Sequence, residues 1–321
     1  MVSQNAKGAL FALAAFGIYA THDVVIKFLG SDYTSFQIIF FSGLLGFPLI
    51  TLMLMSDRTD GNLIPRHPWW SLLRAITAVT TGAAGFYAFS VLPLAQAYAI
   101  LFAMPLLITV LAIPMLGEKV GPRRGIAVLV GMLGVLIVLR PGSADLSLGH
   151  LAALGAAITG AINSLIVRKI GHAERAAVLM IYPMLASVVA TGAMMPFVYV
   201  PMPLEHLALM GLIAGLGFIA ALLIIRAYRE APAIIVAPMQ YSQIIWAVLY
   251  GSLFFDEYPD TWTVAGTAVI IASGVYIVLR EGSGKVATNS PVLSNKSRAE
   301  TGLMPRISLL LRRGERRAAP D

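Results

Sequence analysis

The sequence predicts an all-α membrane protein: ten transmembrane helices in two inverted five-helix repeats, with both termini on the cytoplasmic side. Three observations carry this. The 321 residues are 58% hydrophobic and only 12% charged, with a mean hydropathy of +0.81, whereas a soluble domain has roughly 25% charged residues. The apolar residues fall into ten windows of spanning length. The two halves of the chain also resemble each other.

A spanning helix needs about 20 mostly apolar residues. In order, the windows are 7–29, 34–55, 69–91, 94–115, 123–140, 149–169, 175–199, 204–227, 232–253 and 261–280. The first follows a single cation, Lys7, and no small-residue cleavage signal comes after it, so it is read as a span and not as a leader. Trp69 and Trp70 follow Pro65 and Pro68 at the entrance of the third span, where interfacial aromatic residues belong. Pro93 separates the third and fourth spans, and Ala231-Pro232 the eighth and ninth; a proline starting a helix loses no hydrogen bond. Pro105, Pro114, Pro183 and Pro238 are expected to kink their helices.

Orientation follows from the cations. With the N-terminus inside and the spans alternating, every one of the 23 Lys and Arg residues except Lys27 and Arg140 falls on the cytoplasmic side. This arrangement also disposes of nucleic acid as the partner suggested by a net charge of +7, because the basic residues sit in short loops and one tail. The bilayer and a small-molecule substrate are the expected partners, with the protein a monomer or homodimer. The chain contains no cysteine and its five histidines are scattered, so neither a metal site nor a cofactor is expected.

The repeat divides the chain into 5–141 and 148–281, with a basic tail over 282–321 read as disordered. Gly8 to Gly30 aligns with Gly149 to Gly171 without gaps, Pro93 matches Pro232, and Glu118 matches Glu257. The runs Gly134-Val-Leu-Ile-Val-Leu-Arg140 and Gly274-Val-Tyr-Ile-Val-Leu-Arg280 correspond as well. Five spans are an odd number, so the second half enters the membrane from the opposite side. Such a layout is common in secondary transporters and places the substrate site between the halves near the midplane.

Leu116-Gly117-Glu118-Lys119 leading into Gly125 and Gly131-Met-Leu-Gly134, and its echo Phe255-Asp256-Glu257 leading into Gly266 and Gly274, resemble the paired signatures of the drug/metabolite transporter superfamily, in its ten-helix EamA-type branch. Asp256 departs from the pattern by standing where a glycine usually precedes the glutamate. The resemblance implies metabolite transport across the bacterial inner membrane, through a cavity lined by spans one, three, four, six, eight and nine.

Polar residues at membrane depth are costly and usually face a cavity or a partner. The first span carries Tyr19, Thr21, His22, Asp23 and Lys27, and Tyr19, Asp23 and Lys27 share one face. Asp23 or His22 is read as a proton carrier or as a contact to a polar substrate. In the alternative, Asp23 pairs with Lys27, which snorkels to the surface. In the repeat, His22 and Asp23 correspond to Asn163 and Ser164. Further candidate substrate contacts are Gln240, Tyr241, Gln243 and Trp246 in the ninth span, Gln96 and Tyr98 in the fourth, and Tyr87 in the third. Thr77, Thr80 and Thr81 are expected to bond back to their own helix. Glu118 and Glu257, at span ends, are expected to form structural ion pairs, with Arg123 and Arg124 near Glu118. Gly211-x-x-x-Gly215 is read as a close helix contact.

No enzyme signature is present. Gly282-Ser-Gly-Lys285 lacks the earlier glycine of a phosphate-binding loop, and neither a His-Glu-x-x-His motif nor a nucleophile elbow occurs. Without an ATPase, transport is facilitated, ion-coupled or partner-driven. A channel filter would show rings of charge or carbonyl loops, normally completed by oligomerisation, and a receptor or structural role would need no inverted repeat. Among relatives, the segments Tyr19–Asp23 and Gln240–Gln243 look most like those of riboflavin-uptake proteins. An exporter of amino acids or related metabolites and an importer of S-adenosylmethionine are the alternatives.

Overall fold

A computed structural model describes residues 4–55, 63–118, 120–141, 146–171, 173–174, 176–231 and 233–283. The tail from 284 onward lies outside them. The described chain is helical: α1 (Gln4–Leu29), α2 (Ser35–Met55), α3 (Pro68–Val91), α4 (Leu94–Leu101), α5 (Met104–Leu116), α6 (Pro122–Leu139), α7 (Leu148–Ile170), α8 (Ala176–Val198), α9 (Leu204–Glu230), α10 (Ala233–Val236), a 3-10 turn (Ala237–Ser242), α11 (Gln243–Phe254) and α12 (Thr261–Ser283).

Among the described residues, eight helices are long and apolar enough to cross a membrane, α4 and α5 counting together as Leu94–Leu116. Large apolar side chains such as Leu129, Val189, Phe197 and Leu204 point outward, as a lipid-facing surface requires. Of the two other expected spans, the second is the continuous 21-residue helix α2, apolar over Ser35–Leu49. The ninth is broken into α10, the 3-10 turn and α11. Pro238, in the turn, has no N–H to continue an α-helix. Pro105 likewise follows the break at Phe102 and Ala103 in the fourth span.

The helices pair mainly across the two halves: α1 with α9, α7 with α3, α2 with α8, α4 with α11, and α6 with α12. The first two pairs exchange under the repeat, and the others map onto themselves. Two equivalent glycines make the first pairs possible. A Cβ on Gly8 would lie 2.3 Å from the Ala231 side chain, and one on Gly149 would lie 2.6 Å from Val91 and 2.9 Å from Leu92. By contrast, Gly211 is only in ordinary contact with Leu45, and Gly215 has open space. The close contact expected at Gly211-x-x-x-Gly215 is therefore absent. The backbones of α6 and α12 approach closely at Gly134 and Gly266.

The signature loops superimpose in their hydrogen bonds. Glu118 N–H donates to Ala112 O (3.4 Å) and Glu257 N–H to Gly251 O (2.9 Å), the helix-ending pattern in which the preceding residue is left-handed. Gly117 has φ 70° and Asp256 φ 53°. The departure at Asp256 thus falls at a position whose backbone favours glycine. Asp256→Gly is expected to stabilise the protein by about 1 kcal/mol, read as a higher melting temperature in detergent; a lower one would show that the Asp256 side chain holds this loop.

Candidate functional site

The first span brings its polar residues into the interior. His22 and Asp23 are buried, Asp23 completely, as is Tyr19. His22 Nδ1 lies 2.7 Å from Asp23 Oδ1. The other carboxylate oxygen accepts a hydrogen bond from the Tyr98 hydroxyl on α4. Tyr98 Oη accepts in turn from Gln243 Nε2 on α11, at 3.3 Å. The chain Gln243–Tyr98–Asp23–His22 therefore joins three helices and both halves. It exists because α4 and α11, the two flanks of the broken spans, pack on each other beside α1.

Aromatic rings wall this network. His22 meets Tyr19 and Phe86 edge-on, with centroids 6.4 and 6.0 Å apart. Tyr98 contacts Phe89 (5.2 Å) and Phe102 (6.0 Å), and Phe102 contacts Tyr241 (5.1 Å). The α9 backbone flanks the imidazole at Gly217, where a Cβ would sit 3.6 Å from it. Trp246 stacks on Tyr250 (5.8 Å) and lies against α1 at Gly17, whose missing Cβ leaves room for the indole. Tyr250 Oη is 3.1 Å from Thr21 Oγ1.

The network is satisfied with Asp23 charged or neutral. As a carboxylate, Asp23 accepts from Tyr98 and from a protonated His22 Nδ1. As an acid, it donates to His22 Nδ1 and still accepts from Tyr98.

The structure gathers some expected residues and separates others. Tyr19, His22, Asp23, Tyr98 and Gln243 come together, and Tyr241 and Trp246 lie in the surrounding aromatic wall. Gln96 and Gln240 are half-buried, and no hydrogen bond from either side chain is seen among the described residues. Tyr87 points outward on α3. Asn163 belongs to a second cluster, accepting from Arg74 Nη1 at 2.6 Å, while Arg74 Nε donates to Leu179 O at 3.0 Å. Arg74 was expected only as a topological cation. It is 4% exposed, inside the third span, so the rule that singled out Asp23 applies to it equally.

The structural ion pairs expected at Glu118 and Glu257 form, each with a partner from the other half, and the Asp23–Lys27 alternative does not. Lys27 does not pair with Asp23 and does not snorkel; it is buried, 2.8 Å from Glu257 Oε1, and donates to Leu92 O at 2.6 Å. Lys27 is four residues beyond Asp23, whose carboxylate is bonded to His22 and Tyr98, and reaches instead Glu257, just beyond α11. Glu118 pairs with Arg168 on α7, directly after the left-handed turn at Gly117. The third-span threonines do bond back, Thr77 to Leu73 O, Thr80 to Ile76 O and Thr81 to Thr77 O.

The sequence pattern of the EamA-like transporter family matches residues 6–140 and 147–280. The S-adenosylmethionine uptake transporter of Rickettsia bellii is 25% identical over 262 residues, 82% of this chain and 90% of that one. The pseudopaline exporter CntI of Pseudomonas aeruginosa is 26% identical over 269 residues, covering 83% and 94%. The riboflavin transporter of Vibrio cholerae is 31% identical over 212 residues, covering 65% and 70%. A solved crystal structure of a protein 17% identical in sequence shares the fold, with a TM-score of 0.55 over 88% of this chain and 99% of that one.

Proposed function

Because the chain belongs to the EamA-like transporter family, and is a multi-pass membrane protein of transport type, we propose that it moves one small metabolite across the bacterial inner membrane by alternating access of its two halves. In this reading the ten windows all span, both termini are cytoplasmic, and residues 5–141 and 148–281 are the moving units. The observation that carries it is the Gln243–Tyr98–Asp23–His22 network, a polar site inside the membrane built from both halves. A site shared between two rocking units is what alternating access requires.

The substrate proposed is a metabolite with a planar heteroaromatic ring, and riboflavin is the first to test. Trp246 and Tyr250 offer stacked faces, and Gln240 and Gln243 offer carboxamides for a hydrogen-bonding edge. The riboflavin transporters among the relatives support this choice. Radiolabelled riboflavin would be supplied to a bacterial riboflavin auxotroph lacking its own importer. Saturable uptake and growth that depend on this chain are the expected result. No uptake, with the protein present in the membrane, would sink the riboflavin reading.

S-adenosylmethionine import is the second reading, favoured by Asp23: a buried carboxylate is a natural counter-charge for a sulfonium cation. Its adenine would use the same aromatic wall. Competition for uptake separates the two substrates.

Trp246 gives a further test. If its ring contacts the substrate, Trp246→Phe should raise KM by less than about threefold and Trp246→Ala by roughly tenfold, the order of one aromatic contact. Equal effects of the two variants, at equal amounts of folded protein, would mean that Trp246 serves only to pack on Gly17.

A further inference from the structure

Lys27 and Arg168 occupy equivalent positions in the two repeats, and so do Glu257 and Glu118. Each basic residue pairs with the glutamate of the other half: Lys27 with Glu257 at 2.8 Å, and Arg168 with Glu118. The two pairs are therefore copies related by the inverted repeat and lie at opposite ends of the bundle. Both are largely shielded, with side-chain exposures of 8% and 24% for the first and 14% and 16% for the second. Each is reinforced by a lysine bonded to the backbone at the end of a neighbouring helix, Lys27 to Leu92 O (2.6 Å) and Lys169 to Met115 O (2.8 Å).

The first pair is wired to the polar site. Lys27 is one turn beyond Asp23 on α1. Glu257 Oε2 accepts from the Leu94 N–H (3.2 Å) at the start of α4, one turn before Tyr98. Glu257 itself follows α11, which carries Gln243. The three helices that build the site thus also meet in the ion pair, about 6 Å along the axis from it. On the other side, Arg168 stands one turn beyond Ser164, the counterpart of Asp23.

We propose that these two ion pairs are the reciprocal latches of the transport cycle: opening the site to the outside breaks Lys27–Glu257, opening it to the inside breaks Arg168–Glu118, and the occluded protein holds both. The proposal rests on the alternating-access reading above. A third cross-half ion pair, Arg140 with Asp260, is not a latch. It joins the end of α6 to the start of α12, two helices packed against each other, and Asp260 also caps α12 through Thr263 N–H at 2.8 Å.

The chain contains no cysteine, so single reporter cysteines need no altered background. Ser242→Cys, beside Gln243, would be placed in the full-length protein with Lys27→Ala or with Arg168→Ala. Labelling by a membrane-impermeant maleimide would be measured in right-side-out and inside-out vesicles. Lys27→Ala is expected to raise the outside-to-inside labelling ratio by about tenfold, and Arg168→Ala to lower it by about as much, the size of a modest population shift. The exchanged pair Lys27→Glu with Glu257→Lys should return the ratio toward that of the unmodified chain, which a variant that had merely lost its fold would not do.

Shifts in the same direction, or none, in protein that remains monodisperse and melts as the parent does, would overturn the latches. That failure leaves the transport reading standing if the parent reporter is labelled from both sides. A reporter sealed from both sides in every protein would overturn the latches and the alternating-access reading together.

Discussion

Asp23→Asn is expected to abolish accumulation against a gradient while leaving exchange of substrate across the membrane intact. The substitution preserves shape. The asparagine carbonyl still accepts from Tyr98, and its amide donates to His22 Nδ1, so the links to α4 and the imidazole survive. What disappears is the titratable carboxyl group. If one proton moves with each substrate, a membrane potential of 100 mV supplies about 2.3 kcal/mol, enough for roughly fiftyfold accumulation. The variant should equilibrate its substrate and go no further. Counterflow, measured in vesicles preloaded with substrate and without an ion gradient, should proceed near the parent rate. Concentrative uptake that persists in Asp23→Asn would remove Asp23 from the coupling step. Asp23→Ala answers a different question: it leaves the Tyr98 hydroxyl and His22 without their shared acceptor, so it should also lower the melting temperature.

Much of this site was legible from the amino acids because membrane burial makes polar residues conspicuous. Tyr19, His22 and Asp23 stood out in an apolar run, and the repeat identified Asn163 and Ser164 as the counterparts of His22 and Asp23. What the pattern did not reveal was which residues meet. Asp23 and Lys27 share a helical face, which favours a local pair, yet the cross-half approach of α11 to α1 gives Lys27 to Glu257. Glu118 was assigned to cations a few residues away for the same reason and instead finds Arg168 on α7. Sequence proximity is a poor guide wherever the strongest packing joins one half to the other. Tyr87 illustrates a second limit. It lies one residue from Phe86, which faces His22, but a helix turns by about 100° per residue, so Tyr87 faces outward. The break in the ninth span was signalled by Pro238, though the proline did not reveal that the break would set Gln243 beside Tyr98. The membrane fold itself was the most legible feature, since composition, cation placement and repeat all specify it independently and agree.

The signature glycines are expected to divide sharply when substituted, because only some of them are contacts. A Cβ on Gly134 would fall 2.8 Å from the Gly266 carbonyl oxygen and 2.9 Å from Ile270, and one on Gly266 would fall 2.6 Å from the Gly134 carbonyl oxygen and from Val138. The two carbonyl oxygens are backbone obstacles, which cannot rotate aside. Gly134→Leu or Gly266→Leu must push α6 and α12 apart along the seam between the halves. Overpacking of this kind destabilises by about 1–3 kcal/mol even where side chains can yield, and here the loss should reach or exceed the upper end. Gly125 lies in the same signature on the same helix, but a Cβ there meets nothing within 4 Å. Gly125→Ala should therefore gain helix propensity, up to about 1 kcal/mol, and raise stability. Thermal melting in detergent, followed by size-exclusion chromatography, measures both. Comparable behaviour of Gly134→Leu, Gly266→Leu and Gly125→Ala would mean that α6 and α12 do not touch through these glycines. The opposite behaviour would establish that the paired signature sequences mark the seam on which the two halves are joined, and that its glycines are there to bring the two backbones into contact.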